Sequence, residues 1–156
     1  MMPVEVRVRA ARADDRAQLC AWMQAMAQES EGLVLDPARL DAGLAAGLAD
    51  PARARYFIAE YADEAVGTLM LTCEWSDWRN GWWWWIQSVY VVPAARRRGI
   101  YRALHAHAAT QAAAEPSVLG LRLYVAADNR AAQSTYVALG MHDSGYRVYE
   151  QPLHDG

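Results

Sequence analysis

Between Ser88 and Arg102 the chain reads Ser-Val-Tyr-Val-Val-Pro-Ala-Ala-Arg-Arg-Arg-Gly-Ile-Tyr-Arg, and this stretch carries the residues best suited to hold an anion. A buried-strand pattern runs into Pro93, then a basic turn, then the start of a helical pattern. The first N–H groups of a helix have no intrahelical partner, and the dipole there is positive, which suits a diphosphate. Arg96, Arg97 and Arg98 stand where the dipole disfavours cations; a bound polyanion between them and the N–H groups removes the conflict. Gly99 allows the backbone to approach phosphate oxygens closely. The alternative is a set of solvated, splayed arginines, as in most charge runs.

Other reactive side chains carry less. His105 and His107 are two apart in a helical pattern and diverge, which suits packed or surface histidines better than shared metal ligation. Cys20 and Cys73 match no metal spacing and read as free thiols in a reducing compartment. No metal site is expected.

The elements that must position the basic turn follow from periodicity. Val4 to Val8 alternates as a first strand. Asp14 and Asp15 open a helix, with Gln18 placed to complete a capping box from Asp15, and Leu19, Trp22, Met23 and Met26 form its apolar stripe. Asp36-Pro37 caps and starts a second helix whose apolar face is Leu40, Leu44 and Leu48; Gly43 and Gly47 weaken it by about 1 kcal/mol each relative to alanine. Strands are expected at 55–61, 65–75 and 82–92, turned at Asp63-Glu64 and at Asp77 to Gly81. A helix over 94–114, a strand over 119–125, a helix from Asp128 or Asn129 to Leu139 stopped by Gly140, and a last strand over 144–151 complete the order β-α-α-β-β-β-α-β-α-β. This predicts one α/β (α+β) domain over 1–156, with a mixed sheet and helices on both faces.

Composition bounds the partners. The chain has 156 residues, 54% of them hydrophobic, and a formal net charge of -3. That is enough for one core, and an acidic balance argues against a nucleic-acid partner. No apolar run is long enough for a membrane span and no leader-like segment opens the chain, so a cytoplasmic location without a membrane partner is expected. All fifteen basic residues are arginine, which suggests GC-rich coding and a bacterial source.

Two segments together resemble a family. Val-Tyr-Val-Val-Pro followed by Arg96-Arg-Arg-Gly99-Ile-Tyr101 is similar to the acetyl-CoA motif of the GNAT superfamily of N-acetyltransferases. Asn129-Arg-Ala-Ala-Gln-Ser-Thr-Tyr136-Val-Ala-Leu-Gly-Met141 is similar to its second motif. Tyr101 departs from the pattern, which has glycine or alanine there, and this puts the usual packing of the turn in question. The resemblance covers almost the whole chain. It implies a mostly antiparallel twisted sheet of six to seven strands, about four helices, and a splay between the fourth and fifth strands.

It also implies acetyl-CoA as co-substrate, held by Val89, Tyr90, Val91, Arg96, Arg97, Arg98, Gly99, Ile100, Tyr101, Arg102 and Asn129. Backbone groups of Val89 and Val91 would meet the pantetheine amides and one N–H would polarise the thioester carbonyl. Tyr136 is the implied acid for the leaving sulfur, since a phenol titrates near a thiol; core packing is its competing role. Fourth-strand positions where the family often carries glutamate show Gln87 and Ser88. Glu74, acting through water, is then the best carboxylate for a base, against a bland solvated strand-end role. Trp75, Asp77, Trp85 and Gln87 are the expected acceptor contacts, and the loops around Glu29 to Asp36 and Trp75 to Gly81 are expected to shape the acceptor pocket, with no readable code in either. The run Trp82 to Trp85 packs on both sheet faces or walls a cationic or aromatic substrate.

The implied reaction is acetyl transfer to a primary amine of a small molecule, a polyamine or amino acid for instance, by direct attack in a ternary complex. A non-catalytic acyl-CoA sensor and a protein N-acetyltransferase are the alternatives. The family commonly dimerises, and the Tyr and Trp content permits a homodimer.

Overall fold

The computed structural model describes residues 3–155. In chain order it contains β1 (Arg7–Ala10), α1 (Arg16–Glu31), α2 (Pro37–Ala49), β2 (Arg55–Tyr61), β3 (Glu64–Ser76), β4 (Gly81–Val91), α3 (Ile100–Ala114), β5 (Val118–Arg122) and α4 (Arg130–Ala138). Two compact units result, one up to Arg122 and the other from Leu123 onward.

The first unit holds a five-stranded sheet in the order β1-β2-β3-β4-β5. The first three pairings are antiparallel and β4–β5 is parallel, joined through α3. Six to seven strands were expected; five are found among the described residues. The alternating segment 144–151 forms no strand, and Tyr146 and Tyr149 on it are exposed.

Local chemistry explains most boundaries. Asp36 Oδ1 accepts from the N–H groups of Ala38 (2.9 Å) and Arg39 (3.2 Å), and Pro37 supplies the first helical residue. Gly32 ends α1 in the left-handed region at φ 64°. The β2–β3 turn falls on Ala62-Asp63, both at positive φ, one residue earlier than Asp63-Glu64. Asp15 makes no box with Gln18. Its carboxylate accepts from both Arg9 guanidinium nitrogens (2.7 and 2.9 Å) and from the Arg12 N–H, which holds its pKa below the ordinary carboxylate range, the Arg9 bond first among the causes. The helix expected from Ala94 begins at Ile100, because Pro93–Ala95 forms a 3-10 turn and Arg97 then takes φ 66°.

Helices cover both sheet faces of this unit. Leu19, Trp22 and Met23 of α1 and Leu44 of α2 pack with Ile58 and Tyr90. Phe57, pointing the opposite way along β2, meets the His107 ring of α3 at 4.9 Å. On α2, Gly47 has a packing reason: a Cβ there would come within 3.1 Å of Tyr56 Cε2.

The start of β4 is closed against the 117–119 segment. A Cβ on Gly81 would lie 2.8 Å from the Ser117 carbonyl oxygen and 2.8 Å from Leu119 Cδ2. That same carbonyl accepts the Trp82 N–H at 2.8 Å. Gly81→Ala is therefore expected to destabilise the protein by about 1–3 kcal/mol through overpacking. Thermal unfolding of the variant checks this; an unchanged Tm contradicts it.

Candidate functional site

The register between β3 and β4 creates the site. Thr68 pairs with Tyr90 and Met70 with Gln87, so three steps on β4 face two on β3. The extra residue is a β-bulge at Ser88-Val89, with Ser88 at φ 50°. Beyond it, the Val92 N–H bonds the Val66 carbonyl at 2.9 Å. By the two-residue period of an antiparallel ladder, Tyr90 faces Thr68 and Val91 directs its backbone groups away from β3. On that far side, β5 pairs with β4 only from Trp82 to Trp85. The pairing stops there because β5 ends at Arg122, three residues of β4 before the bulge.

After Val92 the chain builds the basic turn. Arg97 and Gly99 both take left-handed backbone (φ 66° and 77°), and no side chain caps α3. The first helical bond there runs from the Ala103 N–H to the Gly99 carbonyl at 3.0 Å, so the opening N–H groups point back toward the turn. Tyr101 does not fill this space: its hydroxyl lies 3.1 Å from His105 Nδ1, one turn further into the helix. His105 is buried, and that burial lowers its pKa, so the ring is neutral near pH 7.

The three arginines divide. Arg96 is committed to the protein: Nε donates to the Val91 carbonyl (2.9 Å) and Nη2 pairs with Glu29 (2.7 Å) at the end of α1. Arg98 lies over the Tyr61 ring at 5.5 Å. The side chains of Arg97 and Arg102 make no ion pair or hydrogen bond among the described residues. The Tyr90 side chain enters the core; burial raises its phenol pKa, and Glu29, 3.4 Å from its hydroxyl, adds to the rise.

Two clefts open on the bulge. One, of about 450 Å³, is lined by Val89, Tyr90, Val91 and Arg96 together with Met26, Glu29 and Ser30 of α1. The other, of about 520 Å³, runs between α1, α2 and Tyr56 and reaches Ser88. Met26 and Ser30 line both.

The remaining expected residues sit elsewhere on the sheet. Glu74 lies opposite Trp83, five residues from Ser88, or roughly 17 Å along the strand. Its carboxylate accepts from Trp85 Nε1 (2.7 Å) and pairs with Arg122 (3.3 Å). Trp75 stacks edge-on against Trp82 at 4.9 Å, and Asp77 Oδ1 accepts the Trp78 N–H in the β3–β4 turn. Glu74, Trp75, Trp85 and Asp77 therefore gather at the hairpin end, away from the bulge. Gln87 is next to the bulge and donates to Thr72 Oγ1 at 2.6 Å.

The tryptophan run divides by face as alternation requires. Trp84 is buried under the Arg55 guanidinium at 3.9 Å, and Trp83 lies under Arg122 at 4.0 Å. These contacts are structural and use the cation–π attraction within the sheet.

In the second unit, Asn129 Oδ1 caps α4 by accepting the Ala132 N–H at 3.1 Å. Tyr136 is half-buried on that helix, and burial raises its phenol pKa. Among the described residues no group of three or more His, Cys, Asp or Glu is arranged to hold a metal. Among the described residues no helix is long and apolar enough to cross a membrane.

Two cleft residues escaped the sequence reading, Arg39 and Tyr56, while Glu29, Ser30 and Glu31 fall in the 29–36 segment expected to shape the acceptor pocket. They belong to helix ends and to β2, and no local motif marks them. Met26 was read only as core.

With this geometry in hand, comparisons with known proteins are specific. The family model for the acetyltransferase (GNAT) family matches residues 16–141. The chain belongs to the GNAT family of acetyltransferases. It is similar to the crystal structure of a possible acetyltransferase from Clostridium difficile 630, at 37% identity and a TM-score of 0.89, over 96% of this chain and 99% of that one. The fold is also similar to a ribosomal-protein-alanine N-acetyltransferase from Brucella melitensis biovar Abortus 2308, at 17% identity and TM-score 0.77 (96% and 100% covered). The aminoglycoside N-acetyltransferase AAC(6')-Iy in complex with CoA shares the fold at 14% identity and TM-score 0.77, with 98% of each chain covered. A search of curated proteins finds no significant match.

Proposed function

We propose that this acetyltransferase carries an acetyl group from acetyl-CoA to the primary amine of a small molecule in a ternary complex. The observation that carries the reading is the β4 bulge, which turns Val91 away from the ladder beside a cleft that reaches Arg96, the first residue of the basic turn. The residues present fit the cofactor: unpartnered cations at Arg97 and Arg102 flank the Gly99 turn, and the Tyr101 ring leaves it open.

Acetyl-CoA supplies an activated acyl thioester. Backbone N–H groups from Gly99, Ile100, Tyr101 and Arg102, with Arg97 and Arg98, bind the diphosphate. Arg96 holds the turn in place by linking Val91 to Glu29. Backbone groups of Val89 and Val91 bind the pantetheine arm, and one N–H there polarises the acyl oxygen. Tyr136 holds the proton needed by the leaving sulfur, and Asn129 positions Tyr136 by capping α4. Glu74 is tied to Trp85 and Arg122 at the far end of the hairpin, so a role as base requires a water chain. The acceptor's proton leaves more directly through the second cleft, which is open to solvent at Glu31.

The test is calorimetry with acetyl-CoA followed by thiol release with a panel of amines. Binding together with amine-stimulated thiol release is expected. Binding without any amine-stimulated release overturns transfer in favour of a sensor, and absence of binding overturns the cofactor site.

A further inference from the structure

The second cleft has a composition that selects among amines. Its walls are apolar: Met23, Met26, Leu35, Leu40, Leu44 and Tyr56. Two charged side chains of opposite sign also line it, Glu31 and Arg39. Glu31 is the last residue of α1, and Arg39 lies in the first turn of α2. The helix dipole disfavours an anion at the former position and a cation at the latter. They form no ion pair with each other, and neither has an ion pair or side-chain hydrogen bond among the described residues.

Glu31 and Arg39 are exposed at the cleft mouth, and two such charges opposing their helix dipoles on one apolar cleft are complementary to a ligand that bears both signs. The cleft also has a fixed shape on this side. Gln24 clamps the backbone of Leu35 through two hydrogen bonds (2.8 and 2.9 Å), and Gly47 lets Tyr56 lie close against α2. A polyamine would meet one carboxylate, one arginine and a wall of hydrocarbon, which disfavours it.

We propose that the acceptor is an apolar amino acid, a primary amine and a carboxylate on a hydrocarbon skeleton, with Arg39 binding the carboxylate and Glu31 facing the ammonium before it is deprotonated. This rests on the second cleft being the acceptor side of the acetyl-transfer site proposed above. Arg39 is a specificity residue: it acts on binding, and no reacting atom is assigned to it.

The experiment measures thiol release with leucine, methionine, phenylalanine and 6-aminohexanoate, each beside its carboxamide, and with spermidine. For at least one acid, kcat/KM is expected to exceed that of its amide and of spermidine by roughly tenfold or more. In Arg39→Gln the acid-to-amide ratio should collapse to near one through a rise in KM for the acid, and Arg39→Lys should restore part of it. Equal use of acids and amides by the native protein, preference for spermidine, or a ratio unchanged in Arg39→Gln overturns the assignment while leaving acetyl transfer intact. Binding of acetyl-CoA with no release by any amine removes the transfer reading itself, and this assignment with it. The α-amino and 6-amino acids tell whether amine and carboxylate share one carbon.

Discussion

Gly99→Val is expected to weaken acetyl-CoA binding by about tenfold or more, while the protein stays folded. Gly99 sits at φ 77° and ψ 18° as the N-cap of α3. A side chain with Cβ costs about 1–2 kcal/mol in that region, and a β-branched one more. Among the described residues, nothing beyond its two chain neighbours lies within 4 Å of the position a Cβ would take. The substitution therefore strains the backbone without clashing with the core, and the turn relieves it by moving the first N–H groups of α3. Those groups are the ones assigned to the diphosphate. Calorimetry gives the affinity, and thermal unfolding gives the cost to the fold, expected to be a few degrees in Tm. Affinity within about twofold of the native value would remove the 96–102 turn from the cofactor site.

Tyr136→Phe should lower kcat by about 10²-fold or more, the range for loss of a positioned acid, with acetyl-CoA affinity retained. The pH dependence follows from the direction of its shift. Burial disfavours the phenolate, so the Tyr136 pKa lies above its ordinary value near 10 and the side chain is protonated throughout the neutral range. The native enzyme should then show no alkaline fall in kcat belonging to this group until the pH exceeds about 10. A fall centred near pH 8 or 9 that persists in Tyr136→Phe would assign the acid to another group. Preserved kcat in the variant would leave Tyr136 with packing alone.

How much of this was legible depends on the range of the interactions concerned. The basic turn was readable because its cause is local: Pro93 stops the strand, and Gly99 can take the left-handed backbone that starts α3. The helix start there was placed six residues early, since periodicity alone does not register the φ of 66° at Arg97. Asp36-Pro37 and Asn129 behaved as caps, because a cap needs only N–H groups two or three residues on. The Asp15 box failed because Arg9, on β1, competes for the same carboxylate, and an ion pair with two short bonds outweighs a neutral side-chain bond.

Glu74 was sought as a base because Gln87 and Ser88 stand where the family often carries glutamate, which left Glu74 on β3 as the best carboxylate, and alternation was used only to give its face. Alternation gives a face and gives no partner. The partners come from register, which sets Trp85 and Arg122 around that carboxylate and carries the bulge five residues away. The final strand over 144–151 had a fair period-2 pattern, yet a pattern forms a strand only where an edge accepts its hydrogen bonds.

The amino-acid sequence by itself determined the family, the order of elements as far as α4, and the basic turn proposed for the diphosphate. Each of these is written in contiguous residues whose backbone preferences need no distant neighbour. Tertiary structure alone decided that Arg96 spends its charge on Glu29, 67 residues away, leaving Arg97 and Arg102 without acid partners. It alone brought Glu31 and Arg39 onto one apolar cleft beside Ser88. Contacts of that span depend on how strands register and helices pack, and no spacing along the chain encodes them one residue at a time.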